Sequence, residues 1–283
     1  MTPSLLALVV LSAAPAPLKV GVTLHPYYSW TSQVVGSLPI EVRAVLPGEV
    51  DAGDYQPRPE DVAKLKDLDA LVVNGVGHDD FIEGMLKASG NTHVKIIRPN
   101  DGVSLLKNAQ GQVNSHTFIS FSNAISQSYW IARELGALRP EWKKTLEENA
   151  SAYAQRLRAL KADAVQKLKP AKDKRVVTVH EGYSYLLQEL GLTLVKTVEP
   201  AHGLIPSAAE LGAVVTLLKK EKVTTVLSEE RFPTPLLEVL KETGARVYVV
   251  SHVATGAYTS EKFEREMKAN ADMLVRALVT EAH

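Results

Sequence analysis

The chain has 283 residues, with 32 basic and 32 acidic side chains, so its formal net charge is zero. A neutral balance argues against the basic field by which proteins attract nucleic acids or anionic membrane surfaces. Because the sequence contains no cysteine, we expect no disulfide, no thiolate metal site and no lipoprotein anchor. The length is enough for a large core and favours two domains.

The first predicted element is a leader. Residues 5–11 form a short apolar run, and residues 12–17 are small residues and prolines. This pattern resembles the apolar core and cleavage region of a secretory signal peptide, and it is too short to span a bilayer. We therefore predict a signal peptide over residues 1–17 and an extracytoplasmic, periplasmic location. The alternative is a buried N-terminal strand, because the leader has no basic residues at its start.

From residue 18 onwards, short apolar strands alternate with helical segments. This alternation is typical of α/β proteins with parallel sheets. The predicted strands occupy residues 18–23, 40–45, 70–73 and 94–97 in the first half, and 176–179, 193–196, 225–227 and 247–250 in the second. The predicted helices include residues 61–66, 122–138, 208–220, 235–243 and 260–280.

A segment of another kind separates the two halves. Residues 140–168 begin with Pro140 and Glu141, contain no glycine and no later proline, and are rich in alanine, leucine and charged residues. These features favour one helix of about 40 Å. We predict an N-terminal α/β lobe over residues 18–139, an interlobe helix over 140–169 and a C-terminal α/β lobe over 170–283.

Four histidines follow predicted strands or a loop at the same edge: His25, His116, His180 and His252. Open α/β sheets bind ligands beyond the carboxyl ends of their strands. In a chain without cysteine, imidazoles are the strongest ligands for late transition metals. Each histidine also has a plain structural interpretation, such as a loop hydrogen bond for His25 or a helix cap for His180. For the last strand, alternation leaves open whether Ser251 or His252 faces the cleft.

The remaining histidines lie at helix starts or loop edges, where we expect solvated side chains: His78, His93, His202 and His283. For His202 the alternative stays open that its loop, residues 199–203, lines the cleft. No phosphate-binding loop, nucleophile elbow or His-Glu-x-x-His helix is present.

Several motifs together give the chain a family resemblance that extends from residue 18 to the C-terminus. The chain resembles the periplasmic substrate-binding proteins of the zinc/manganese class of metal ABC transporters. The similar segments are residues 46–61, with Pro-Gly and later Asp-Tyr-Gln-Pro-Arg-Pro-Glu-Asp; residues 72–77; residues 114–118, Asn-Ser-His-Thr-Phe; and residues 179–186, Val-His-Glu-Gly-Tyr-Ser-Tyr-Leu. The resemblance implies two α/β lobes joined by one long helix, with metal held between them.

The resemblance also implies two metal ligands from each lobe, of which His116 and His180 carry over. Gly53 stands where the family has its first histidine, and Ser251 stands near its final carboxylate. We expect His25 and His252 to replace these two ligands. An all-nitrogen set suits zinc, with manganese as the alternative.

Carboxylate and hydroxyl side chains near these positions supply alternative ligands or groups that orient the histidines: Glu181, Glu229 and Ser251.

We therefore expect a non-enzymatic, monomeric protein that captures a divalent metal ion and delivers it to a membrane ABC permease. One alternative is a protein of the same fold that binds a small organic or chelated ligand. A less favoured alternative is a zinc-dependent hydrolase, in which Glu181, Glu229 or Glu230 would act as general base.

Overall fold

The computed structural model describes residues 17–107, 111–199 and 204–281, without the side chain of Asp54. The predicted signal peptide lies outside these residues except for Pro17, as do His202 and His283. Within the described ranges, no helix combines the length and the hydropathy that a membrane span requires.

The N-terminal half forms a four-stranded parallel sheet. In chain order its elements are β1 (Leu18–Val22), α1 (His25–Val35), β2 (Ile40–Ala44), α2 (Pro59–Ala63), β3 (Ala70–Val72), α3 (Ile82–Ser89) and β4 (Lys95–Ile97). The strand order is β2-β1-β3-β4, with every neighbouring pair parallel. The inner strands β1 and β3 are almost fully buried, as expected for a parallel sheet covered on both faces.

The second half repeats the arrangement. Its elements follow α4 (Phe121–Leu138) and α5 (Lys143–Leu168), and they are β5 (Arg175–Thr178), α6 (Ser184–Glu189), β6 (Thr193–Thr197), α7 (Ala208–Glu221), β7 (Thr225–Ser228), α8 (Thr234–Lys241), β8 (Arg246–Val249) and α9 (Lys262–Val275). The order β6-β5-β7-β8 matches that of the first sheet, again with parallel pairs. The predicted fold, two similar α/β lobes with a long helix between them, is confirmed.

Helix α5 begins later than the sequence indicated. Pro140–Trp142 form a turn of 3-10 helix, and the α-helix starts at Lys143. Its 26 residues span about 39 Å. Helix α5 packs against α1, α4 and α9.

Because α9 also packs against α1, the last α-helix of the described chain returns to the N-terminal lobe. The carboxyl ends of both sheets face the space between the lobes, and three of the four predicted histidines meet there.

Candidate metal centre

Three of the four predicted histidines form one buried group. His116, His180 and His252 each offer a ring nitrogen that lies within 4.8 Å of the nitrogens offered by the other two. The ring centroids are 4.5 Å apart for His116 and His180, 4.9 Å for His180 and His252, and 5.1 Å for His116 and His252. Tetrahedral zinc with bonds of about 2.1 Å separates its nitrogen ligands by about 3.4 Å. Nitrogens within 4.8 Å of one another are therefore close to the spacing that three of the four zinc ligands need.

Backbone geometry brings these side chains together from three different places. His180 follows β5 and starts the 3-10 turn Glu181–Tyr183, and His252 follows β8. His116 precedes α4, whose first turn is capped by the hydroxyl of Ser120 accepting the Asn123 N–H. The N-terminal lobe therefore supplies one imidazole and the C-terminal lobe supplies two.

Hydrogen bonds fix the tautomers of two of the rings. His116 Nδ1–H donates to the Asn114 side-chain oxygen at 2.9 Å. His252 Nδ1 is 3.0 Å from the Asp51 carboxylate. A neutral imidazole that donates from Nδ1 keeps its lone pair on Nε2. The His252 Nε2 is buried and has no hydrogen-bond partner in the described part of the chain. Its lone pair is therefore available to bind a cation.

The Nδ1 of His180 has two neighbours with opposite requirements. It accepts the Gly182 N–H at 3.1 Å, and it lies 3.2 Å from Glu229 Oε1. Accepting from Gly182 needs a lone pair on Nδ1, whereas donating to Glu229 needs a proton there. Metal binding through Nε2 selects the second arrangement, because the proton must then occupy Nδ1. Of the two carboxylates expected near His180, Glu229 is thus the one whose oxygen lies within hydrogen-bond distance of the His180 ring.

Gly182 also permits the close packing of two histidines. A Cβ at this position would lie 2.8 Å from His180 Nδ1 and 3.1 Å from a carbon of the His116 ring. Such contacts are far inside van der Waals distance, so the absence of a side chain lets the two imidazoles approach each other.

The electrostatics of the group depend on Asp51. Burial alone would raise the pKa of the Asp51 carboxyl, but the hydrogen bonds from His252 and His78 outweigh burial and hold that pKa far below its ordinary value. For His252, burial would lower the pKa of the imidazole, and the bond to Asp51 outweighs it and raises the pKa. Asp51 is therefore a carboxylate held beside the imidazoles. The carboxyl group of Glu181 differs from it, because burial raises the pKa of Glu181.

The structure does not bring His25 into this group. The His25 Nε2–H donates to the Gly256 carbonyl at 2.8 Å, and its ring stacks on Tyr258 with centroids 3.8 Å apart. Burial lowers its pKa to about 4. His25 thus joins the N-terminal lobe to the segment that follows His252, and it does not fill the position left by Gly53.

Ser251 also lies outside the group, since its hydroxyl donates to Glu266 at 2.6 Å and accepts the Val253 N–H at 3.0 Å. The backbone carbonyl of Glu181 accepts hydrogen bonds from the Asn114 side-chain amide and from the Ser184 hydroxyl.

Sequence reasoning missed two residues at the site, Asp51 and His78. The expectation that His78 is solvated was wrong, because the side chain is buried, with its ring centroid 5.0 Å from that of His116 and its Nε2 3.1 Å from Asp51. His93 is exposed, as expected. The available signal was the place of Asp51 in the sequence, two residues before Gly53, where the resemblance implies a histidine.

Comparisons with known proteins identify the family of this chain. The model of the ZnuA family, "Zinc-uptake complex component A periplasmic", matches residues 20–277. The chain is 28% identical over 253 residues to the zinc-binding lipoprotein AdcA of Streptococcus pneumoniae, covering 84% of this chain and 50% of AdcA. It is 25% identical over 249 residues to the high-affinity zinc uptake system protein ZnuA of Bacillus subtilis, covering 83% and 78% of the two chains.

Among solved structures, the SBP FpvC of Pseudomonas aeruginosa in complex with Mn²⁺ is 44% identical, with a TM-score of 0.87 and coverage of 94% of this chain and 100% of FpvC. A second FpvC structure contains Ni²⁺. The chain spans half the length of the AdcA relative. Because the family model matches the chain from β1 to the helical turn after α9, this protein belongs to the ZnuA family of periplasmic zinc-uptake components.

Proposed function

We propose that this protein is an extracytoplasmic substrate-binding protein that captures a divalent transition-metal ion and delivers it to an ABC permease. The observation that carries the proposal is the buried group of His116, His180 and His252, with ring nitrogens within 4.8 Å of one another. Three imidazoles at this distance repel one another if protonated, whereas a cation among their lone pairs satisfies all three.

Nitrogen donors favour zinc and other late divalent metals over manganese, because imidazole is a borderline ligand and manganese prefers oxygen. Two relatives are named for zinc, and FpvC has been solved with Mn²⁺ and with Ni²⁺. We therefore propose zinc as the substrate and manganese or nickel as competitors. The burial of the three rings favours a bare ion over a chelate or an organic ligand.

The division of the ligands between the lobes supports capture and release. His116 belongs to the N-terminal lobe, and His180 follows a strand of the second sheet, so a change in lobe spacing alters the set of ligands. The long helix α5, packed against helices from both halves, restricts the motion to a small rotation. We propose that a monomer in this closed form is the species that a permease recognises.

Metal titration of the purified protein tests the proposal. Zn²⁺, Mn²⁺ and Ni²⁺ are each titrated calorimetrically, with a competing chelator where binding is tight. His116→Ala, His180→Ala and His252→Ala form the test set, and the exposed His93→Ala is the matched control. We expect stoichiometric Zn²⁺ binding in wild type and the control, and its loss in the test set. Stoichiometric binding that survives in the His116→Ala/His180→Ala double variant would contradict the proposal.

A further inference from the structure

The Asp51 side chain connects the two lobes at the candidate site. Asp51 lies in the N-terminal lobe, directly before the 3-10 turn Ala52–Asp54. Its Oδ1 accepts the Gly53 N–H at 2.9 Å and lies 3.1 Å from His78 Nε2. Its Oδ2 lies 3.0 Å from Nδ1 of His252, which follows the last strand of the other lobe. One oxygen is thus held by its own lobe while the other contacts a histidine of the opposite lobe.

His78 is built into the site as the support of that carboxylate. The imidazole is only 2% exposed, and it packs edge-to-face against His116 and Phe118 with centroids 5.0 and 5.1 Å away. Its Nδ1 lies 3.5 Å from the Ser115 hydroxyl, so its Nε2 is directed at Asp51. The ring cannot turn freely between two aromatic neighbours, and the position of Asp51 is therefore fixed in turn.

We propose that Asp51, held by His78, is a positioning residue that sets the tautomer and orientation of His252 for metal binding. The inference rests on the proposed function and deepens it. The carboxylate accepts the Nδ1 proton of His252, which leaves the lone pair on the buried Nε2 that has no hydrogen-bond partner in the described residues. A carboxylate behind a ligating imidazole fixes the ring and raises its basicity.

Gly53, where the family resemblance implies a histidine ligand, has another role in this arrangement. The N-terminal lobe supplies a carboxylate that holds a ligand of the other lobe, and Gly53 contributes a backbone N–H to that carboxylate. Asp51 contacts Nδ1 of His252, whereas a metal ion would bind at Nε2 on the other side of the ring. Asp51 is therefore a support for the ligand and not itself a ligand. Separation of the lobes would break the Asp51–His252 contact and loosen the ligand, which couples closure to affinity.

Two substitutions at Asp51 and one at His78 test this role. Asp51→Ala removes the acceptor, Asp51→Asn keeps an oxygen that accepts the Nδ1 proton, and His78→Phe keeps an aromatic ring without the donor to Asp51. Asp80→Ala, at an exposed aspartate in the same lobe, is the matched control. The readouts are Zn²⁺ affinity by chelator competition, histidine tautomers by ¹⁵N NMR of the metal-free protein, and scatterer number by X-ray absorption of the loaded protein.

We expect Asp51→Ala to weaken Zn²⁺ binding by roughly 10- to 100-fold and to shift the His252 tautomer, with the scatterer number unchanged. Asp51→Asn and His78→Phe should weaken binding less, and Asp80→Ala should match wild type. Wild-type affinity and an unchanged tautomer in Asp51→Ala would overturn the inference. Loss of one oxygen or nitrogen scatterer in that variant would also overturn it, because Asp51 would then be a ligand.

Failure of the proposed function has a different signature. If wild type binds no metal, the proposed function fails, while the tautomer of His252 in the metal-free variants still reports whether Asp51 positions the ring.

Discussion

His25 provides a test of the structure that is independent of the metal ligands. Burial lowers the pKa of its imidazole from 6.5 to about 4, and the side chain is 2% exposed. The charged groups that act on it are Lys262, which also lowers its pKa, and Glu266, which raises it. Because a tenfold change in a proton equilibrium corresponds to about 1.4 kcal/mol, this difference in pKa amounts to about 3 kcal/mol.

The sign of the effect follows from the protons that each state binds. Between pH 6.5 and about 4 the unfolded chain has a protonated His25, whereas the folded protein keeps it neutral. The unfolded state therefore binds more protons, and acid favours unfolding. The cost that His25 imposes on the folded state is small above pH 6.5 and grows to its full value as the pH falls to about 4.

Replacing His25 with glutamine removes this titration and keeps an N–H donor for the Gly256 carbonyl. In urea unfolding at pH 7.5, 6.5, 5.5 and 4.5 with a chelator present, His25→Gln should lose less stability on acidification than wild type does. The difference should reach about 2.5 kcal/mol at pH 4.5. His93→Gln, at an exposed histidine, should follow wild type throughout. Parallel loss of stability in wild type and His25→Gln would refute the reasoning.

The same variant separates the two roles considered for His25. Its ring stacks on Tyr258 and its Nε2 is bonded to Gly256, so we expect His25→Gln to keep its Zn²⁺ affinity within a few-fold of wild type at pH 7.5. A loss as large as that of His116→Ala would return His25 to the ligand set.

Three further predictions concern packing and caps. Gly182→Ala should weaken Zn²⁺ binding by about tenfold or more in chelator competition, because a Cβ lies 2.8 Å from His180 Nδ1; Gly212→Ala, where nothing lies within 4 Å, should not. Lys222→Gly should raise the free energy of unfolding by about 1 kcal/mol and the Tm by about 2–4 °C. Exposed Lys222 ends α7 with φ 54°, in the left-handed region that glycine adopts without strain. An unchanged Tm would contradict this. Glu189→Ala should lower the free energy of unfolding in urea by about 2–3 kcal/mol. The Glu189 carboxylate accepts hydrogen bonds from the first two N–H groups of α4 at 2.6 and 3.0 Å. A loss below about 1 kcal/mol would show that those two N–H groups find other hydrogen-bond acceptors.

The fold was largely readable from the sequence, for a physical reason. Strands of a parallel sheet are buried on both faces, so each is a short apolar run bounded by polar or turn residues. β1 and β5 show this pattern, and both were predicted to within one or two residues. The α-helix starts three residues later than predicted, because a proline in the first turn is compatible with either 3-10 or α geometry.

The site was only partly readable, because its supporting residues depend on tertiary contacts. His116 and His180 lie in motifs with a family counterpart, and the position of a strand end is a local property. His78 and Asp51 lie in separate loops whose meeting depends on how each loop folds. His25 is stacked on Tyr258, more than two hundred positions later in the chain, and no local pattern records such a pair.

The choice between Ser251 and His252, which strand alternation left open, depends on backbone strain that the sequence does not reveal. Val253 is a buried, β-branched residue with φ 57°, a conformation that costs on the order of 1–3 kcal/mol. The Ser251 hydroxyl accepts the Val253 N–H and donates to Glu266, so it holds the strained turn. Beyond the turn, the Gly256 N–H donates to the Gly48 carbonyl of the N-terminal lobe at 2.7 Å. His252 is therefore positioned by a strand of one lobe and by anchors on the other, and these place it beside Asp51 and His116.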